Sequence, residues 1–394
     1  MSNHVVLHVV ETYLFITGSW IYSQVAETNR YRSIVAASKI ENTDVFPFPD
    51  VYKCSPLIEN PRSLWQFAAN RAFEMALGIR KRKLTHLVHK YGAALIHAHF
   101  GPTGYGMLPL KRTTGLPLIT AFYGADACQI PNRAPKWHRR FKKLFEEGDL
   151  FLAEGNHMKQ TLISLGCPSE KVVVQHLGVN LSLIPFKPRR LSDDGLINII
   201  VVGTFREKKG IPYALRAFAR VASDHPNVRL TIVGDGRVGP ELEIKAEILK
   251  IIAAESIADK VRITGYIPYK EFLREVEKAH ICLAPSVVAA DGDAEGGAPV
   301  CLIEMSASGL PVIASRHCDI PEVIIDGQSG FLVPERDVEA LADRLRFLVN
   351  HPEIWESMAI AGRKHIEENY SLRVTIPRLE AIYDRLLQGI FLNK

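Results

Sequence analysis

Short apolar runs alternate with segments of helical period along the whole chain. In the first half the runs are HVVLHVV (His4–Val10), ALIHAHF (Ala94–Phe100), PLITAFY (Pro117–Tyr123), DLFLA (Asp149–Ala153) and KVVVQHL (Lys171–Leu177). Between them, Leu64–Leu77 and Asn156–Leu165 repeat their apolar positions at helical spacing. In the second half the runs are INIIVVG (Ile197–Gly203), VRLTIVG (Val228–Gly234), VRITG (Val261–Gly265), ICLAP (Ile281–Pro285), PVIAS (Pro311–Ser315) and GFLVP (Gly330–Pro334). Helices are expected there at Ile211–Ser223 and Lys270–Lys278. Continuous apolar runs suit strands buried on both faces, and their alternation with helices predicts α/β units with parallel sheets. Two Rossmann-like, doubly wound units would place ligands at the carboxyl ends of their strands, in a central cleft.

One segment, EGGAPVCLIEMSASGLPVIAS (Glu295–Ser315), carries a carboxylate inside an apolar stretch. Pro299 suits a helix start, Gly309 suits the position past a helix end, and Leu310–Pro311 cannot continue it. The reading is a helix over Pro299–Ser308, with Val300 and Glu304 on one face, about 6 Å apart along the axis. Free amides at its start form an anion site, and Gly296 and Gly297 let a ligand approach the backbone. A carboxylate one turn further in suits sugar hydroxyls, so a nucleotide fits the pair. An ordinary amphipathic helix with Glu304 in water also fits.

The 394 residues suggest two domains, and 47% hydrophobic with 23% charged residues is an ordinary soluble composition. No apolar run reaches the ~20 residues of a membrane helix. The opening residues have no basic leader and Glu11 interrupts their apolar run, so no secretory signal is expected. Six scattered cysteines without ligand spacing point to a reducing, cytoplasmic setting. The net charge of +5 is unevenly spread. Residues 1–190 hold 24 Lys and Arg against 13 Asp and Glu, a net +11, and the remainder is −6. The change falls at PFKPRRLSDDG (Pro185–Gly195), which reads as a linker. Domains are therefore expected at 1–187 and 196–374, with a terminal helix at 375–394 that could pack back onto the first. A basic half attracts anions, but no nucleic-acid reading motif or aromatic platform accompanies it, so no nucleic-acid partner is expected.

Loops after the strands are where chemistry is expected. TFREKKG (Thr204–Gly210) brings Arg206, Lys208 and Lys209 to a strand end, where cations balance a diphosphate or simply face water. Gly236 and Gly265 belong to turns at two further strand ends, and Gly18 in ITGSW could admit a phosphate to the backbone. His97 and His99 end one strand; Asp126 follows Tyr123–Gly124 at another and suits a carboxylate facing the cleft. The stretch KWHRRFKKLF (Lys136–Phe145) places Trp137, Phe141, Leu144 and Phe145 on one helical stripe amid cations. That stripe either packs on the core or rests on anionic lipid, giving transient peripheral contact at the inner membrane face.

Taken in order, HAHFGPTGYG, FYGADA, LAEGNHMKQTLISLGCPSEKVVVQHLGVNL, VGTFREKKGI, VGDG, APS and the Glu295–Ser315 block resemble the retaining nucleotide-sugar glycosyltransferases of family four. The likeness covers nearly the whole chain and is greatest to the branch that builds exopolysaccharide repeat units, such as the colanic acid glycosyltransferases. It implies a GT-B fold, a nucleotide diphosphate sugar bound mainly by the C-terminal domain, and a glycan or lipid-linked hydroxyl acceptor. The family's Glu, seven residues, Glu signature matches Glu304 as the ribose ligand. Glu295 best matches the residue that touches the transferred sugar, although eight residues separate the two here. Lys209 matches the family's diphosphate lysine; Thr204 stands where an Arg is usual, leaving Arg206 as the substitute. Tyr123 stands at the family's His position.

The resemblance implies transfer on one face of the sugar without metal or cofactor, the departing phosphate taking the acceptor's proton. The diphosphate would be met by Lys209, Arg206 and the helix tip at Val300 and Cys301, with Asp126, His99 and Tyr123 on the acceptor side. No His/Asp/Glu cluster in the sequence suggests a metal site. Two alternatives share the fold: an epimerase, which would form product without an acceptor, and a non-catalytic sugar-nucleotide-binding subunit, which would not hydrolyse the donor slowly.

Overall fold

The computed structural model describes residues 4–15, 18–54, 78–191 and 193–390. The expected helix over Leu64–Leu77 lies outside them. The chain forms two units, Met1–Gly178 with Leu372–Lys394, and Val179–Ser371. Each is a wholly parallel sheet flanked by helices.

Among the described residues the first sheet has seven strands: β1 (Val5–Tyr13), β2 (Arg32–Ile40), β3 (Val51–Lys53), β4 (Ala93–His99), β5 (Leu118–Ala121), β6 (Leu150–Ala153) and β7 (Val172–Val174). Their order is β3-β2-β1-β4-β5-β6-β7. The second holds β8 (Ile197–Val202), β9 (Val228–Val233), β10 (Val261–Gly265), β11 (Ile281–Ala284), β12 (Val312–Ser315) and β13 (Gly330–Val333), in the order β10-β9-β8-β11-β12-β13. Both orders are doubly wound, reversing at β1/β4 and at β8/β11.

Side chains alternate between the two faces of each sheet, and both faces are buried. In the second, Ile199, Leu230 and Ile232 pack on one side against Phe218 and Trp355, whereas Ile200, Cys282 and Val312 pack on the other against Leu302 and Met305. In the first, Leu7, Val9, Ile96 and Ala98 face the core that contains Phe122 and Phe141. Their neighbours His8, His97 and His99 therefore point to the opposite face.

The chain passes between units at 178/179 and 371/372, not within the charge-rich stretch after Pro185. That stretch is anchored in the second unit. The Lys187 amide donates to the Ser308 carbonyl at 3.1 Å, and buried Arg189 donates to the carbonyls of Ala279 (2.7 Å) and Val276 (2.9 Å). A guanidinium surrounded by carbonyls cannot act as a loose linker. The Leu372–Leu387 helix belongs to the first unit, where Glu380 accepts the amides of Asn29 (2.7 Å) and Arg30 (2.8 Å) and Asp384 accepts Tyr31 Oη (2.6 Å). No helix of the described residues is long and apolar enough to cross a membrane.

Candidate functional site

In the second unit the chemistry gathers where the strand order reverses. The loop after β8 and the loop after β11 meet there, and their backbones are too close for side chains. Gly210 has φ +62°, and a Cβ on it would lie 1.8 Å from the Pro285 carbonyl oxygen. Beside it the Val287 amide donates to the Lys208 carbonyl at 2.9 Å. Only glycine satisfies both the left-handed backbone and the close approach.

This junction delivers three cations to two carboxylates. Lys209 Nζ lies 2.9 Å from Glu295 Oε1, which also accepts Ser286 Oγ at 2.9 Å. Lys208 Nζ bonds Asp293 Oδ1 (3.2 Å) and the Ala294 carbonyl (2.9 Å), and Arg206 Nη2 reaches Asp293 Oδ2 at 2.5 Å. The Glu295 amide donates to His317 Nε2 at 3.1 Å, and His317 Nδ1 pairs with Glu335 at 2.7 Å. Burial alone would push the Glu295 carboxyl up, but Lys209 and Lys208 outweigh it and hold the group at about 2. For Lys209, burial pulls the ammonium down, and Glu295 more than restores it. The pair is ionised on both sides.

Glu295, and not Gly296, occupies this position. Gly296 has φ +81° and takes up the extra residue between the two glutamates before the buried Gly297 leads into the helix. That helix spans Val300–Ala307, with Pro299 as its N-cap rather than its first residue. The amides of Val300 and Cys301 have no acceptor among the described residues. Glu304 lies one turn in, on the face of Val300, and accepts Tyr269 Oη at 2.9 Å. Burial raises the Glu304 carboxyl to about 7, against the opposing effect of the Tyr269 hydrogen bond. The same burial lifts the Cys301 thiol to about 11 despite Lys209 nearby. Gly236 sits in the turn after β9, and Gly265 ends β10 with φ +73°.

The sequence did not single out Ser286, Asp293, His317 or Tyr269, which complete this constellation. Ser286, in the APS motif, and Asp293 share the loop after β11 with Glu295, whereas His317 follows β12 and Tyr269 opens the helix after β10.

The first unit treats its candidates differently. Asp126 is fully buried and accepts the amides of Gly101 (2.6 Å) and Tyr123 (2.8 Å), clamping the turns after β4 and β5 together. It is a structural clamp and not a carboxylate open to an acceptor. Burial raises its carboxyl to about 7 against those amide bonds. His99 is also fully buried; its Nδ1 bonds Tyr123 Oη at 2.8 Å and its Nε2 lies 3.1 Å from His8 Nδ1. Phe100, the next residue, has φ +73°, a strained setting for a residue with a Cβ, where the chain turns into the Gly101–Thr114 helix. Gly18 is the N-cap of the Ser19–Ala26 helix, in a different unit from the other donor-site candidates.

The basic helix spans Lys136–Glu147 and buries Phe141, Leu144 and Phe145 in the core, with Trp137 partly covered under Arg140. Of the two readings of this apolar stripe, packing on the core is the one the structure shows; Lys136, Arg139, Lys142 and Lys143 remain exposed. The absence of any metal-type cluster is corrected. His8, His97 and His99 bring one ring nitrogen each to within 4.8 Å of one another.

Comparison with known proteins extends these observations. Residues 185–365 match the model of the glycosyl transferases group 1, and residues 49–183 that of glycosyltransferase family 4. The amylovoran biosynthesis glycosyltransferase AmsK of Erwinia amylovora is 32% identical over 75% of this chain and 71% of its own length. The putative colanic acid biosynthesis glycosyltransferase WcaL of Salmonella typhimurium is 32% identical over 70% of this chain and 66% of its own. Among solved structures, Anabaena HepE in complex with UDP superposes with a TM-score of 0.78 at 15% identity, covering 97% of this chain and 99% of that one. That likeness is one of fold.

Proposed function

Because this chain belongs to the family 4 glycosyltransferases of the GT-B fold, we propose that it moves a sugar, with retention, from a nucleotide diphosphate sugar to a hydroxyl of a growing glycan or lipid-linked acceptor. The observation that carries the donor assignment is the ionised Lys209–Glu295 pair beside the tip of a helix whose Glu304 lies one turn further in. The ribose hydroxyls donate to Glu304, and the diphosphate takes the free amides of Val300 and Cys301 together with Lys209. Arg206, tied to Asp293, adds positive charge from the same loop. Glu295 faces the transferred sugar.

In this reading the bond from the anomeric carbon to the leaving phosphate oxygen breaks, and a bond to the acceptor oxygen forms on the same face. The acceptor's proton passes to the leaving phosphate. Preorganised cations and amides stabilise the charge that develops there, so the reading requires neither a metal at the donor nor a protein general base. Residues 1–190 carry a net +11, and the cations along the Lys136–Glu147 helix suit an anionic surface approached through charge alone.

A thermal-shift panel of nucleotide sugars tests the donor, since a ligand bound only by the folded state raises the melting temperature. The preferred donor is then incubated with acceptor glycans and the anomeric configuration of the product is read by NMR. A panel in which no nucleotide sugar shifts the melting temperature refutes the donor site. A product of inverted configuration refutes retention alone.

A further inference from the structure

Outside the donor site, the first unit contains a buried arrangement of three histidines. His97 and His99 are two residues apart on β4 and so share one face of the sheet, while His8 on the adjacent strand β1 is in register with His97. All three are fully buried, at the point where the strand order reverses. Their ring centroids are 4.5 Å (His97–His99), 5.0 Å (His8–His97) and 5.3 Å (His8–His99) apart.

The ring nitrogens divide into two sets. One nitrogen of each ring meets a hydroxyl: His97 Nδ1 with Tyr383 Oη at 2.7 Å, His99 Nδ1 with Tyr123 Oη at 2.8 Å, and His8 Nε2 with Ser33 Oγ at 3.4 Å. One ring nitrogen of each lies within 4.8 Å of one from each of the other two. His8 Nδ1 and His99 Nε2 are 3.1 Å apart, and His97 Nε2, wholly buried, has no hydrogen-bond partner. From these contacts we infer that His8, His97 and His99 form a binding site for one divalent transition-metal ion, bound through His8 Nδ1, His97 Nε2 and His99 Nε2.

Metal-bound imidazoles characteristically engage their second nitrogen with an outer partner that fixes ring orientation, and here all three do. Zinc–nitrogen bonds of about 2.0–2.1 Å imply ligand atoms about 3.4 Å apart in a tetrahedron. The His8–His99 pair is already near that spacing, and the orphaned His97 nitrogen supplies the third corner. Imidazole ligands suit zinc, cobalt, nickel or copper rather than magnesium or calcium. A fourth position would go to water or hydroxide, the latter bringing the negative charge that three neutral rings lack. Such an ion would tie β1 to β4 and, through His99, fix Tyr123.

The test uses the untagged full chain, stripped with chelator and titrated with Zn²⁺ by calorimetry. One equivalent should bind, with affinity falling at least a hundredfold in both His8→Gln and His97→Gln. Cobalt should give the visible absorption of a tetrahedral, nitrogen-ligated ion in wild type only. Should either variant fail to fold, ¹⁵N-histidine NMR of the wild type decides: Zn²⁺ must shift the three buried ring signals together. Buried signals that do not move, or one-equivalent binding that survives His97→Gln in folded protein, would overturn the site.

Discussion

Replacing Glu304 with glutamine separates the cost of the empty donor site from its use. In the folded protein burial raises this carboxyl to about 7 from its ordinary 4.5. A carboxylic acid raised on folding is favoured in its protonated form, so its contribution to stability is complete below pH 4.5 and is lost as pH rises through 7. At 1.36 kcal/mol per pH unit the full shift amounts to about 3 kcal/mol. Glu304 is only partly covered and keeps the Tyr269 hydrogen bond, so solvent screening brings the expected loss to about 1–2 kcal/mol between pH 5 and pH 8. The glutamine variant carries no such titration. Wild type and variant should therefore match most closely near pH 5, and by pH 8 the variant should have gained on wild type by that amount. Donor binding should move the opposite way. The carboxylate accepts ribose hydroxyls better than an amide does, so the variant should bind a nucleoside diphosphate about 1–3 kcal/mol more weakly at pH 8. That penalty should shrink toward pH 6 as wild-type Glu304 protonates. The assays are denaturation of both proteins from pH 5 to 8 and calorimetry with the donor nucleotide at the same pH values. A stability difference that does not vary with pH, together with unchanged nucleotide affinity, refutes the assignment of Glu304 to the donor.

Lys209→Ala should lower turnover about a hundred- to a thousandfold, the scale of losing one preorganised charge at a leaving group. It should leave nucleoside monophosphate binding intact, and a variant with wild-type kcat/KM contradicts the diphosphate role. Gly210→Ala forces a Cβ to 1.8 Å from the Pro285 carbonyl at a φ of +62°. It should cost at least ~2 kcal/mol, and a melting temperature equal to wild type would show that the two loops are not locked there. The full chain should sediment with anionic vesicles at low salt and leave them at high salt, more weakly after Arg139, Lys142 and Lys143 are changed to Gln. Equal sedimentation with neutral vesicles, or none with either, removes the charge-only membrane contact.

Consecutive residues determined what local backbone physics controls. The apolar runs that became β1 and β4 to β13, the helix stop at Gly309, and the placement of Glu304 one turn inside a helix were all legible. Each depends on period, capping and glycine conformation within a short window. β2 was not picked out: RSIVAASKI carries only a short apolar run, Ile34–Ala37, between Ser and charged residues, and it forms a strand beside β1. The three residues of β3 are too few to carry a period. Only the tertiary structure decided which distant groups face each other. Arg206 and Asp293 lie on loops after different strands, and the crossover between β8 and β11 brings them together. His8 reaches His97 through the register of β1 on β4, which no local pattern encodes. The sequence offered Asp126 as an open carboxylate, and the fold turned it inward onto two amides. The apolar stripe of the basic helix suited core or lipid, core packing being the usual fate, and packing against Phe122 and Phe151 settled it. Amphipathic period says that a face must be covered, and only the surrounding chain determines what covers it.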